Sequence, residues 1–397
     1  MFLPRVILQP RRAKPFYARH PWVYPGAIAA VEGDPVDGAI VDLVSHTGNF
    51  VARGFYNSQS KLRVRLYSWM PETQLDRDFF RERMQCAIEF RKSDLRLDGP
   101  DQSCRLIFSE SDGLSGLTVD RYGSWLVAQF TSLAMAQRKD LIVELLVELL
   151  QPRGIYLRTE KGIGGLEGLE LQDRLLWGEA PPGDLTVEDA GLRFLVNLEL
   201  GQKTGFFLDQ RDNRPAVARY ACGRRMLDAF CYSGAFGLYG AKSGASSVVG
   251  IDASEPALEL ARANAKLNGL AERTEYIRAD VFKQMQAFVE VGERFGLVVL
   301  DPPKFARSHK AIDEALGGYR RLQALALRLL SKNGILVTCC CSGLITQGML
   351  LELLSQLGQE EKRDLQLLEL RGQAADHPVA LACPETSYLK CLVCRVL

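Results

Sequence analysis

A chain of 397 residues, 47% hydrophobic and 24% charged, exceeds one ordinary domain of roughly 100 to 200 residues and has enough apolar material for a sizeable core. No run approaches the ~18 apolar residues of a membrane-spanning helix, and the opening "MFLPRVILQPRRAKPF" is broken by Pro4 and Pro10 with no small-residue cleavage site after it, which excludes a helical membrane protein and predicts a cytoplasmic one. The net charge is +1, yet residues 1–70 hold nine Lys or Arg against four acids, a net +5 that leaves −4 for the rest; a polyanion partner or a merely solvated surface accounts for it equally well.

Up to Met70 the chain consists of short strand-like runs punctuated by turn residues, "PGAI", "GDPVDGAIVDLV", "SHTGNFVARGFYN" and "LRVRLYSW", a spacing that predicts a small β-barrel over 1–70. "ETQLDRDFFRERMQCAIEFRKSDL" then has helical periodicity. Strand signals in "CRLIFSE", "LSGLTVDRYG" and "SWLVAQF", a helix in "AQRKDLIVELLVELL" and a strand in "GIYLRTE" make 71–182 a mixed α+β domain. "EAPPGD" reads as a linker, followed by a hairpin turning at Asp189, Ala190 and Gly191.

From about residue 200 the pattern changes to strands alternating with helices: "RMLDAF", "SVVGIDAS", "TEYIRAD", "FGLVVLDPP" and "GILVTCCCSG" each precede a helical segment. Such alternation predicts right-handed βαβ units and a doubly wound α/β domain over 183–397. Its runs end in Asp228, Asp252, Asp280, Asp301 and Cys341, and ligands of open parallel sheets bind outside the carboxyl ends of the strands. An Asp after a strand is commonly a helix N-cap, but five polar or reactive groups in register strain that explanation. In "DAFCYSGAFG", Ser233, Gly234 and Gly237 let a ligand approach the backbone, and Asp252, 24 residues after Asp228, is placed to accept hydrogen bonds from a ribose.

Ten cysteines in a large chain need not form disulfides. The single C-x-x-C, Cys391 to Cys394, lies in an alternating apolar run that predicts a terminal strand, and no second pair completes a metal site. Cys339, Cys340 and Cys341 stand in a row. Alternation along a strand turns Cys339 and Cys341 one way and Cys340 the other, so no metal is expected there either.

These motifs resemble those of class I S-adenosylmethionine-dependent methyltransferases over roughly residues 195–397. "LDPPKF" at 300–305 looks like the fourth motif of that fold, and "QKTGFFLDQRDNR" at 202–214 is similar to the segment that covers the cofactor in RNA-modifying members. Across nearly the whole chain, "HPWVYPGAI", "SESDGLSGLTVDRYG", "KTGFFLDQRDNR", "LDPPKF", "CSGL" and "DHPVALACPETSYLK" resemble the bacterial large-subunit (23S) ribosomal RNA cytosine-5 methyltransferases that carry an amino-terminal PUA domain.

The resemblance implies S-adenosyl-L-methionine held by Phe207, Asp209, Asp228, Tyr232, Ser233, Gly234, Asp252, Ala253, Ser254, Asp280, Val281 and Asp301. It implies Cys341 as nucleophile, where the family has Ser-Cys-Ser-Gly and this chain has Cys340, Cys341, Ser342 and Gly343. Asp301 would hold the base edge, Lys304 or the helix start after Gly343 would favour the thiolate, and Glu385 would remove the carbon-5 proton. Structured ribosomal RNA is the expected partner, with Arg11, Arg12, Lys14, Arg19, Lys203 and Arg211 on its phosphates. A homodimer stays open. An amino- or guanine-directed methyltransferase with a structural Cys341 is the alternative within the fold, though Lys304 stands where an amino-methylating enzyme carries an aromatic residue. A non-catalytic RNA-binding or assembly factor is the alternative outside it.

Overall fold

The computed structural model describes residues 3–159, 162, 164–199, 201, 204–306 and 308–397. The chain divides into two compact units, Met1–Val187 with Val196–Leu208 and Ala375–Thr386, and Glu188–Leu195 with Asp209–Ala374 and Ser387–Leu397.

In the first unit a six-stranded sheet runs in the order Trp22–Val23, Val64–Ser68, Phe50–Tyr56, Ile40–Val44, Arg5–Leu8, Ile28–Glu32. Only Arg5–Leu8 against Ile40–Val44 is parallel; the other pairs are antiparallel. Val6 and Leu8, two apart on one strand, enter a core with Phe16, Val23, Leu43 and Leu66, while Arg5 faces solvent, the period-2 consequence of the pleat. A five-stranded sheet follows, ordered Arg174–Gly178, Gly154–Leu157, Trp125–Phe130, Leu117–Tyr122, Ser103–Phe108. The helix Arg77–Glu89 starts where Asp76 accepts the amide of Phe79, and it ends in a π turn, Phe90–Asp94.

That turn carries Arg91, which is completely buried. Its guanidinium is matched by Asp112 Oδ1 at 2.7 Å and by the carbonyls of Ala87, Arg105 and Asp376, so the charge is not left unpaired. Asp376 also accepts the Arg105 amide at 2.9 Å and holds His377 Nδ1 at 2.8 Å. These bonds explain why a segment from the far end of the chain, 375–386, belongs to the first unit.

The second unit is a seven-stranded sheet whose strands are β1 Arg225–Ala229, β2 Ser247–Asp252, β3 Thr274–Arg278, β4 Phe295–Leu300, β5 Leu330–Cys340, β6 Leu365–Arg371 and β7 Lys390–Val396. Their order is β3-β2-β1-β4-β5-β7-β6. β1 to β5 are parallel, and β7 is antiparallel to both β5 and β6. Both faces are covered, one by a core containing Leu227, Ile251, Leu300 and Leu336, the other by Met226, Val248, Val299 and Val337. The alternation of strand and helix expected from the sequence is therefore the one observed, with the Rossmann-like sheet it implies.

β6 is the strand that the sequence pattern does not announce. Its "LQLLELR" lacks alternation because the register slips between Leu367 and Glu369, and Leu367, Leu368 and Leu370 all stay substantially exposed on the sheet edge. Among the described residues no helix is long and apolar enough to cross a membrane.

Candidate functional site

The carboxyl ends of β1, β2, β4 and β5 bring together Asp228, Asp252, Asp301 and Cys341. Asp228 sits one residue before the end of β1 and is buried; its Oδ2 accepts the Gly237 amide at 2.8 Å, while its Oδ1 has no hydrogen-bond partner among the described residues. Burial pushes this carboxyl up to about 7 against the pull of the Gly237 N–H, with the negative charges of Asp301 and Asp252 adding to the rise. A buried carboxylate oxygen left open among acids is suited to accept a cationic ligand.

Between β1 and the helix Ala235–Lys242, the loop "FCYSG" takes left-handed backbone at Phe230 (φ 64°), Tyr232 (φ 46°) and Gly234 (φ 76°). Non-glycine residues lose about 1–2 kcal/mol each in that conformation, a strain typical of ligand-binding turns. At Gly234 a side chain is also sterically barred, because a Cβ would lie 2.6 Å from the Tyr276 hydroxyl. The Tyr232 amide donates to Asp252 Oδ2 at 3.0 Å and the Ser254 amide to Oδ1 at 2.9 Å, so Asp252 is oriented by both neighbouring turns. Ser233 is buried, and its carbonyl accepts from Asn264 at 3.1 Å. Ala253 is exposed, and Ser254 caps the helix Glu255–Leu267.

Asp280, exposed after β3, caps the helix Val281–Glu290 by accepting the Lys283 amide at 2.9 Å, and Val281 is buried beneath it. Phe230, Phe282, Phe305 and Tyr319 form a chain of ring contacts with centroids 6.4, 6.4 and 5.0 Å apart, packed in or against the core on one face of the sheet. Asp209 is buried and accepts the Tyr388 hydroxyl at 2.6 Å, and Gln210 donates to Asp301 Oδ2 at 3.2 Å. Gln210 is a site residue that the sequence does not announce; a neutral amide next to a predicted Asp carries no spacing signal. Arg211 is partly buried, its charge within reach of Tyr239. Phe207, half-buried, falls in the first unit. Lys203 lies outside the described residues.

The three thiols separate as strand alternation requires. Cys339 and Cys340 are fully buried on opposite faces of the sheet, Cys339 opposite Cys391 on β7, Cys340 with its Sγ 4.0 Å from the Ser342 carbonyl. Cys391 and Cys394 are buried packing groups. Cys341, just past β5, is the partly exposed one, with its Sγ 4.0 Å from the Pro302 carbonyl of the Asp-Pro-Pro turn. Asp301 and Cys341 both act electrostatically on Tyr319, whose hydroxyl is driven far up by burial first and then by Cys340.

The helix expected directly after Gly343 begins only at Gln347, and its first turn is closed by Thr346, which accepts the Met349 amide. The intervening residues form turns, so the cap is not at the thiol. Lys304 is exposed in the turn after β4. Among the described residues, Lys390, at the start of β7 opposite Cys340, brings a cation to the residue after Cys341. Its Nζ donates to the Ser342 carbonyl at 2.8 Å and the Tyr388 carbonyl at 3.3 Å.

Glu385 lies in the first unit, where it meets His20 Nε2 at 3.4 Å and accepts from Cys383 Sγ at 3.5 Å. Burial raises its carboxyl, but hydrogen bonds from its own backbone and His20 outweigh that and hold it below the ordinary range, so it is ionised at neutral pH. In the same unit Arg11, Arg12, Lys14 and Arg19 are all exposed at the surface. Trp22 is partly buried with Nε1 donating to Glu110 at 3.0 Å, and Tyr24 is exposed.

Residues 6–69 match the PUA-like domain family, and residues 175–378 match the S-adenosylmethionine-dependent methyltransferase family. The ribosomal RNA large subunit methyltransferase I of Aeromonas hydrophila is 42% identical over 97% of both chains, and that of Escherichia coli O157:H7 is 40% identical over 99% of both. In fold, the chain matches a Streptococcus mutans protein described as a SAM-dependent methyltransferase, with a TM-score of 0.84 at 20% identity over 98% of this chain and 99% of that one. A second solved structure, of a methyltransferase complexed with SAH, matches with a TM-score of 0.86 at 21% identity over the same shares. The open Asp228 oxygen, the oriented Asp252 and the strained loop between them fit S-adenosylmethionine as cofactor. The chain is a PUA-domain-bearing, S-adenosylmethionine-dependent methyltransferase and belongs to the family of the ribosomal RNA large subunit methyltransferases I.

Proposed function

We propose that this protein methylates carbon 5 of a cytosine in large-subunit (23S) ribosomal RNA in the cytoplasm, with Cys341 as covalent nucleophile. The observation that carries the reading is the partly exposed Cys341 thiol against Pro302, at the sheet edge that also holds Asp228, Asp252 and Asp301. Carbon 5 of cytosine is not nucleophilic by itself. A Cys341 thiolate that adds to carbon 6 moves the ring's π electrons onto carbon 5, which becomes able to attack an electrophilic methyl.

S-adenosylmethionine supplies that methyl and leaves as S-adenosylhomocysteine. Asp228, Tyr232, Ser233, Gly234, Asp252, Ala253, Ser254, Asp280 and Val281 cradle the cofactor in this scheme, and Phe207 and Asp209 are further cofactor-binding residues. Asp301, steadied by Gln210, holds the polar edge of the cytosine and donates to N3 when protonated. After transfer a carboxylate takes the carbon-5 proton, the double bond re-forms, and the carbon–sulfur bond breaks to return the thiolate. Glu385, ionised by its hydrogen bonds, is the base in this scheme, and Lys304 offers positive charge after the Asp-Pro-Pro turn. Arg11, Arg12, Lys14, Arg19, Lys203 and Arg211 engage RNA phosphates, and the target base is flipped from its stack to reach Cys341.

The test is a trap. RNA containing 5-fluorocytosine, whose fluorine cannot be removed as a proton, should become covalently attached to the wild-type protein in the presence of S-adenosylmethionine and fail to attach to Cys341→Ala. Cytosine methylation at the normal rate by Cys341→Ala would refute the mechanism.

A further inference from the structure

We infer that Lys390 is a positioning residue for the nucleophile, holding an ammonium against Cys341 so that the thiol ionises near neutral pH. The inference rests on the reading of Cys341 as nucleophile and adds to it the group that makes the thiol competent.

An isolated cysteine thiol, with a pKa of about 8.5, is only a few per cent thiolate at pH 7, so a nucleophilic cysteine needs a compensating charge. Among the described residues, the groups set around Cys341 include one acid and two neutral hydrogen-bonding groups. Asp301 follows β4 on one side, Cys340 precedes it on β5, and the Tyr319 hydroxyl approaches from the helix Ile312–Leu329. Of the two sources of positive charge expected from the sequence, Lys304 is exposed, and the helix start has moved to Gln347 with its cap already taken by Thr346. Lys390 comes from another direction. β7 runs antiparallel to β5 with Lys390 paired to Cys340, so its stem starts beside the thiol row.

The side chain then bends along the chain just past the nucleophile. Its Nζ donates to the carbonyl of Ser342, the residue bonded to Cys341, and to the carbonyl of Tyr388. An ammonium has three donors, and two are committed to backbone, which leaves one for the sulfur. Lysine is seldom buried without a reason, yet Lys390 is half-buried. Burial lowers its own pKa, and the compensating influences are Cys340 and Cys341, so the interaction is mutual. Of these two thiols Cys340 is fully buried, with its Sγ 4.0 Å from the Ser342 carbonyl, whereas Cys341 is accessible; the charge therefore serves Cys341.

The experiment follows thiol ionisation without catalysis. The full-length protein, wild type and Lys390→Met, Lys390→Gln and Lys390→Arg, is treated with iodoacetamide from pH 6 to 9.5, and alkylation at each cysteine is read by peptide mass spectrometry. Cys86 and Cys222, both exposed, calibrate the reagent, and the buried Cys339 and Cys340 report whether the sheet edge stays closed. The midpoint at Cys341 should rise by at least about one pH unit in Lys390→Met and Lys390→Gln, which is about a ten-fold fall in rate at pH 7, and Lys390→Arg should restore most of it. The glutamine keeps a donor for Ser342 but no charge; a shift with methionine and not with glutamine would show a packing role and overturn the inference. Cys341 profiles that coincide in wild type and both neutral variants would overturn it equally. The 5-fluorocytosine trap separates this from the parent reading. If the trap needs Cys341 while the alkylation profiles coincide, only the role of Lys390 fails. If Cys341→Ala methylates normally, the nucleophile itself is wrong whatever the profiles show.

Discussion

Asp228 makes the folded second unit sensitive to pH in a direction opposite to that of a salt-bridged carboxylate. Its carboxyl is raised from 3.8 in the open chain to about 7 in the fold, chiefly by burial. The folded state therefore holds this proton more tightly. The stabilisation is complete below the open-chain value and is lost as pH rises through about 7. At about 1.4 kcal/mol per pKa unit, the full swing is about 4 kcal/mol, of which about 2.5 kcal/mol falls between pH 5 and pH 8. Asp228→Asn keeps the shape and the acceptor for the Gly237 amide while abolishing the titration, so the variant should lack that portion of the loss whatever its absolute stability.

All four tryptophans lie in Met1–Val187, so intrinsic fluorescence reports the first unit and is blind to this effect. The suitable assay is urea unfolding of the cofactor-free protein at pH 5, 6, 7 and 8, read by a brief deuterium pulse at one fixed pH and mass spectrometry of peptides from β1 and β4. If wild type and Asp228→Asn lose the same free energy between pH 5 and 8, then Asp228 is not a buried, half-satisfied acid.

Gly234→Ala places a Cβ 2.6 Å from the Tyr276 hydroxyl at a φ of +76°, so it should cost about 1–2 kcal/mol in backbone strain and shift the loop between Asp228 and Asp252. Calorimetry should show S-adenosylhomocysteine binding weakened at least ten-fold, and unchanged affinity would remove the loop from the cofactor site. On the first unit, replacing Arg11, Arg12, Lys14 and Arg19 together by glutamine should weaken RNA binding and flatten the slope of log affinity against log salt by about 3; an unaltered slope would mean that none of the four meets phosphate.

Much of the cofactor edge is legible in the amino-acid sequence, because the relevant signals are local. A strand-to-helix alternation fixes which residues end strands, and the ends of parallel strands share one edge of the sheet. Asp228, Asp252, Asp301 and Cys341 arrive there for that reason, and the alternation of side chains along β5 already separates Cys341 from Cys339 and Cys340 in purpose, if not in contact. The PUA-like first segment is likewise readable from short strands between turn residues.

What surrounds Cys341 is not legible there, since it depends on pairings between distant parts of the chain. Nothing in "TSYLKCLVC" says that its strand inserts antiparallel between β5 and β6, and that insertion alone brings Lys390 opposite Cys340. Nor does spacing say that Glu385 and Lys390, close neighbours in the chain, belong to different units, the first tied to His20 and Cys383, the second to Ser342. Helix capping is a further instance: the start expected after Gly343 is deferred to Gln347 because Thr346 offers the side-chain oxygen that a helix needs. The sequence by itself determined the element order and the acids at the strand ends, because backbone preference and side-chain period are properties of a few adjacent residues. Only the tertiary structure decided that Lys390 meets the chain just past β5, because such neighbours are set by strand register between distant segments, and register is a property of the packed sheet.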